Sequence, residues 1–120
     1  MKKKIVIVGA GPAGLTAAIY GRRALKSVLV LEALSYGGQI INTLDIENYP
    51  ANNHISGFDL ATNMYNHAKE LGAIIKFEKV IGINNNGPYR ITDNGSEAVC
   101  LGHIVIINGV TIIINKTREI

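Results

Sequence analysis

Ile5-Val6-Ile7-Val8-Gly9-Ala10-Gly11-Pro12-Ala13-Gly14-Leu15-Thr16-Ala17-Ala18-Ile19-Tyr20 is the stretch whose reading decides the fold. Its first four residues are apolar and β-branched, which suits a strand buried on both faces of a parallel sheet. Gly9 to Gly14 then read as a turn. From Pro12 to Leu25 the chain reads as a helix, since proline fits a first turn and the small residues let the helix lie close to the sheet. A buried strand, a Gly-x-Gly-x-x-Gly turn and a helix in that order form a dinucleotide-binding fingerprint. Gly9 permits the tight strand-to-helix turn, Gly11 lets the backbone approach a pyrophosphate, and Gly14 lets the helix pack against the strand. The N–H groups around Pro12 and Ala13 and the helix dipole would face the phosphates. Glycines often serve a turn alone, so it is the strand before and the Ala-rich helix after that point to a ligand.

Working outward, Ser27 to Leu31 is a second apolar run, closed by Glu32. An acid about 20 residues past the fingerprint binds ribose hydroxyls in such folds. Glu32 could accept from both hydroxyls of an adenosine ribose and would repel a 2′-phosphate; the alternative is a solvated charge at a strand end. These two motifs do not choose between NAD and FAD. A loop rich in Gly, Asn and Pro runs from Ser35 to about Ile55. Ser56, with Asp59 three residues on, predicts a capped helix whose apolar positions are Leu60, Met64, Ala68 and Leu71 and which Gly72 ends. Short strand-like runs follow at Ala73–Phe77, Val80–Ile83, Tyr89–Thr92 and Glu97–Leu101, the last three expected as an antiparallel meander. His103 to Ile107 returns as a buried strand.

Tyr36-Gly37-Gly38-Gln39-Ile40, followed by Asn42-Thr43-Leu44-Asp45-Ile46-Glu47-Asn48-Tyr49-Pro50, resembles the thioredoxin reductase family over residues 3–110. There the Gly-Gly-Gln and Glu-Asn-Tyr-Pro segments wrap FAD. The resemblance implies an α/β, three-layer FAD/NAD(P)-binding Rossmann-like fold: a parallel sheet with an appended antiparallel β-meander, here incomplete. It implies FAD contacts at Gly9, Ala10, Gly11, Pro12, Ala13, Gly14, Glu32, Gly38, Gln39 and Asn48, with the backbone near Val80 bracketing the adenine. Glycine allows close backbone approach to a flavin, and Gln and Asn offer amide donors to its pyrimidine edge. Without the resemblance, a surface turn at Gly37-Gly38 is an equal reading. The family's Ala-Thr-Gly turn corresponds here to Ile107-Asn108-Gly109. The glycine is kept as a candidate FAD contact, but Asn-Gly between β-branched runs is also a hairpin signal.

Composition narrows the function further. The chain has 120 residues, 48% of them hydrophobic, enough for the core of one small domain, with residues 111–120 a divergent tail. Net charge is +3, including Lys2-Lys3-Lys4, which reads as a solvated strand end and not a nucleic-acid surface. No run suits a signal peptide or a membrane span. Cys100, the only cysteine, reads as a small buried apolar residue in a reducing, cytoplasmic setting. His54, His67 and His103 lack ligand spacing, so neither a metal site nor a catalytic residue is assigned. The family reaction passes hydride from NADPH to FAD, then electrons to a Cys-x-x-Cys disulfide and to thioredoxin. It needs a second nucleotide fold of about a hundred residues and the redox pair, and these 120 residues contain neither. The expectation is the N-terminal portion of an FAD-binding domain, inactive alone, pairing as a homodimer or with the remainder of the enzyme. A stand-alone, non-catalytic dinucleotide-binding module and a fragment of a ferredoxin–NADP reductase of related fold are the alternatives.

Overall fold

The computed structural model describes the backbone of residues 2–80, 99–107 and 110–113, and the side chains of residues 3–38 and 40–80. Strand β1 (Lys2–Val8) leads through the Gly-rich turn into helix α1 (Pro12–Arg23), then β2 (Val28–Leu31). A short 3-10 helix, Gly38–Asn42, precedes helix α2 (Gly57–Glu70), β3 (Ile74–Lys76), β4 (Val99–Ile107) and β5 (Val110–Ile113). The sheet order is β3-β2-β1-β4-β5, parallel from β3 to β4, with β5 antiparallel at the edge.

The apolar runs sit where their composition requires. All four residues of β2 are buried, as are Val6 and Ile7 of β1. Fully burying each such side chain stabilises the fold by roughly 1.5–3 kcal/mol. Helix α1 lies close on this layer: a Cβ at Gly21 would come within 2.9 Å of Val28 and 3.0 Å of Ile5. Helix α2 packs Leu60, Met64 and Ala68 into the same core. Its start is the expected cap, with Ser56 Oγ accepting from the Asp59 N–H at 3.0 Å.

Two expectations change. The segment Glu97–Leu101 was placed by its pattern in the meander, yet Val99–Leu101 begins β4, where Lys2 and Lys3 pair in parallel with Val99 and Cys100. The register shifts between Lys3 and Ile5, opposite Gly102 on β4; a glycine inside a strand marks a bulge as well as a break. Residues 81–98 of the expected meander region lie outside the described residues, as does the side chain of Cys100. The chain doubles back after β4, where Ile107 pairs with Val110 antiparallel, and the candidate hairpin residues Asn108 and Gly109 lie outside the described residues.

Helix α1 ends at Arg23, two residues before its expected end. The Leu25 N–H bonds the Arg22 carbonyl at 2.9 Å and the Lys26 N–H bonds that of Gly21 at 3.0 Å, a Schellman closure with Leu25 left-handed at φ 62°. Helix α2 closes identically, with Gly72 in that position at φ 100°. Arg22 joins the two ends: its Nε donates to the Leu71 carbonyl at 2.8 Å and its Nη1 to that of Lys26 at 2.9 Å. A guanidinium between two helix C-termini also complements both dipoles. Because a left-handed β-carbon costs about 1–2 kcal/mol, partly offset by glycine's extra freedom when unfolded, Leu25→Gly should stabilise the chain by roughly 0.5–1 kcal/mol. Urea midpoints of the two proteins check this, and an unchanged or lower midpoint in Leu25→Gly would count against the strain.

Candidate functional site

The Gly-rich turn takes the shape its glycines permit. Gly9 is at φ 108°, and its N–H bonds the Leu31 carbonyl at 2.8 Å, fastening the turn to the end of β2. A Cβ on Gly14 would collide with the Gly9 carbonyl oxygen. Gly11 is the N-cap of α1 without a side-chain cap, Pro12 occupies the first turn, and that turn holds no acidic residue. The N–H groups of Ala13 and Gly14 have no carbonyl within the helix to bond. They form, with the helix dipole, an anion-binding end.

The resemblance's flavin-side segment lies directly across from it. The Gly37 N–H bonds the Ala10 carbonyl at 2.6 Å, and a Cβ built on Gly38 would lie 3.4 Å from the Gly11 Cα. In the other direction, a Cβ on Gly11 would have only the Gly38 Cα within reach, at 4.0 Å. Two bare backbones thus approach each other closely with no side chain between them. Gly37 itself, at φ 97°, is pressed on α2, where a Cβ would come within 2.6 Å of Ala61. The Gly57 N–H bonds the Thr43 carbonyl at 2.7 Å and fixes the other end of the 3-10 helix. Of Gln39 only the backbone, inside that helix, is described.

Glu32 is more than a solvated strand end. Its Oε1 accepts from the Ala10 N–H at 2.8 Å and its Oε2 from the Leu34 N–H at 3.0 Å. Two oxygens offer about four acceptor positions, so the carboxylate retains capacity for ribose hydroxyls. Val80 is half-buried, four residues past β3, at the same end of the sheet as Glu32, whose N–H bonds the Lys76 carbonyl at 3.0 Å. Gly109 lies outside the described residues.

Asn48 belongs to a small ladder that the loop-rich sequence did not signal. Ile46 and Ile55 exchange backbone hydrogen bonds of 2.7 and 3.1 Å, and Tyr49-Pro50-Ala51-Asn52 turns the chain with the Asn52 N–H on the Tyr49 carbonyl at 3.0 Å. Ala51, at φ 73°, occupies the position of a type II turn that glycine normally fills. Asn48 is exposed and lines a cleft of about 540 Å³ with Pro12, Ile40, Thr43, Asp45 and Leu60. The cleft therefore joins the helix start to the segment carrying Asn48. On the outside of the ladder, His54 Nδ1 lies 3.2 Å from Asp45 and 3.7 Å from Glu47, all three side chains exposed. The sequence separation of these residues hid the group; it links the two sides of the ladder at the surface through the His54–Asp45 contact.

The comparisons agree with this geometry. Residues 3–114 match the family profile described as pyridine nucleotide-disulphide oxidoreductase. The chain belongs to the pyridine nucleotide-disulphide oxidoreductase family. Thioredoxin reductase of Bacillus subtilis is 38% identical over 105 residues, covering 88% of this chain and 33% of that protein. A 34.2 kDa protein in the rubredoxin operon of Clostridium pasteurianum is 56% identical over 106 residues, covering 88% and 34%. The crystal structure of Lactococcus lactis thioredoxin reductase superposes with a TM-score of 0.80 at 37% identity, covering 88% of this chain and 34% of that one. The chain thus spans about a third of the length of the relatives it matches. Its α/β architecture is part of the Rossmann-like FAD-binding domain of thioredoxin reductases. Among the described residues no helix is long and apolar enough to cross a membrane.

The two family glycines Gly11 and Gly14 should respond very unequally to one methyl group. The methyl of Gly11→Ala meets nothing nearer than the Gly38 Cα at 4.0 Å and should cost about 1 kcal/mol or less of stability, the usual scale at an N-cap. Gly14→Ala drives a methyl into the Gly9 carbonyl and should cost more than about 3 kcal/mol. Chemical denaturation of both variants tests the pair; equal losses would contradict the packing described for this turn.

Proposed function

We propose that this chain carries the pyrophosphate- and ribose-binding part of an FAD-binding domain in a thioredoxin-reductase-like flavoprotein oxidoreductase. The observation that carries the reading is the side-chain-free approach of Gly38 to Gly11 beside an anion-binding helix end, with the Glu32 carboxylate bonded to the same turn at Ala10. A dinucleotide with two phosphates and an unmodified ribose has the matching shape and charge. Gly9, Ala10, Gly11, Pro12, Ala13 and Gly14 would hold the pyrophosphate, and Glu32 the adenosine ribose. Val80 would flank the adenine, while Gly38, Gln39, Asn48 and Gly109 would meet the flavin side. When bound, FAD supplies the ability to accept a hydride from NADPH and pass two electrons to a disulfide. The residues described here bind, orient and shield; the dithiol and the nicotinamide site are functions for the rest of a full-length enzyme, which would deliver electrons to thioredoxin. A single cysteine in 120 residues fits a cytoplasmic, reducing setting.

The first test is binding. FAD titration followed by flavin fluorescence should saturate with the wild-type chain and fail with Gly11→Val, whose branched side chain would occupy the space the pyrophosphate needs at the helix start; equal affinities would sink the phosphate-cradle reading. Replacing Glu32 by Arg should weaken FAD by about 1–3 kcal/mol and shift the relative preference toward 2′-phosphorylated ligands, since the local charge reverses.

Activity offers a second, independent test. Oxidation of NADPH by the isolated chain, with FAD, thioredoxin and a chromogenic disulfide, should not exceed that of free flavin. Cys100 alone cannot form an internal disulfide, and hydride transfer needs a nicotinamide held in near-contact with the ring. Turnover above the free-flavin rate, from protein free of host reductase, would require a thiol shared between chains.

A further inference from the structure

We infer that Glu32 is a positioning residue for the flavin-side loop as well as an acceptor for the ribose, acting through the backbone on either side of the Ala10 Cα. This rests on the FAD reading above and extends it to the opposite end of the ligand. Both polar groups of Ala10 are engaged: its N–H donates to Glu32 Oε1 at 2.8 Å, and its carbonyl accepts from the Gly37 N–H at 2.6 Å. Ala10 is fully buried, so neither group has water as a ready substitute. The second carboxylate oxygen takes the Leu34 N–H at 3.0 Å, so the segment from Leu34 to Gly37 is held at both ends by one acid and one peptide. Gly37 begins the 3-10 helix whose first residue, Gly38, faces Gly11. The position of Gly38 against Gly11 is therefore tied to the Glu32 carboxylate through two hydrogen bonds on one residue. The bonds lie on the two peptide planes that meet at the Ala10 Cα, so losing the charged acceptor frees the first plane to turn and disturbs the second bond with it.

The chemistry of the acceptor makes the idea testable. Glu32 meets two N–H donors, which an ionised carboxylate can serve at once. In Glu32→Gln one of them would face an amide NH2, itself a donor, while the remaining carbonyl and NH2 can still bond ribose hydroxyls. Loop positioning is read on the ligand-free chain, where ribose binding does not enter.

Amide hydrogen exchange by NMR on the ligand-free chain should show protection at Ala10, Leu34 and Gly37 falling tenfold or more in Glu32→Gln. The core amides of Val6 and Val30 should be unchanged. Glu32→Asp, which keeps an acceptor-only group, should recover part of the protection, and it serves alone if the Gln variant does not fold. With saturating FAD, the absorption bands of the flavin should also shift in Glu32→Gln, which a loss of global stability would not produce. Gly37 protection retained while Ala10 and Leu34 lose theirs would overturn the relay, as would an equal loss at the core amides. Failure of the wild-type chain to bind FAD, with the exchange pattern as expected, would instead remove the FAD reading and leave the connection between Glu32 and Gly37 standing.

Discussion

Helix α1 can begin where it does only because Gly14 carries no side chain, since a methyl there would occupy the carbonyl oxygen of Gly9. With that contact made, the chain leaves β1, reverses within a few residues and lays the helix along the sheet. The rest follows from the helix position. Gly21 meets Val28 and Ile5, the Ala10 carbonyl points to Gly37, and the unbonded N–H groups at the helix start face outward. Packing and ligand chemistry thus share one cause. The glycine that is indispensable to the fold lies three residues from the glycine that is dispensable to it.

At the opposite end of the helices, Arg22 performs a comparable task with charge. Orphan carbonyls at a helix end must be satisfied, and both helices use Schellman closures for this. The guanidinium adds a direct tie between Leu71 and Lys26. It fixes α2 against α1, and α2 in turn supports the 3-10 helix through Gly57 and Thr43. Rigid support at one end of the two helices is thereby transmitted to the loop that faces the Gly-rich turn at the other.

Much of this was legible because it depends on residue type. The β-branched run before Gly9, the fingerprint itself, the Ser56 cap and the helical spacing of Leu60, Met64 and Ala68 all leave a mark in the sequence, and each element forms where they indicate. What stayed hidden depends on conformation without a matching residue. Leu25 and Ala51 hold left-handed positions where glycine would have announced a helix end and a type II turn. The Ile46–Ile55 ladder has no strand-like alternation around it, and its tip is only four residues. Gly102 read as a boundary although β4 continues through it. Within the site, the roles of Gly9 and Gly14 follow from the fingerprint, whereas the apposition of Gly38 to Gly11 emerges only from the fold. The hydrogen bonds of Glu32 go to main-chain groups, which every residue possesses, so no sequence pattern could reveal them.

Strand order explains why these features converge. In the order β3-β2-β1-β4, the chain moves outward on one side of β1 and then crosses to the other, so the connections after β1 and β4 diverge. An open parallel sheet leaves a crevice beyond the carboxyl ends of its strands at such a switch point, and ligands bind there. The Gly-rich turn leaves β1 at that point, and Glu32 follows β2 on one side. The register that sets Val8 beside Leu31 and Ile107 brings the ends of all three strands level. The antiparallel return of β5 covers the outer side of β4 and itself becomes the edge of the sheet. Strand pairing thus governs the edge of the sheet, while the crevice opens at the ends of its parallel strands.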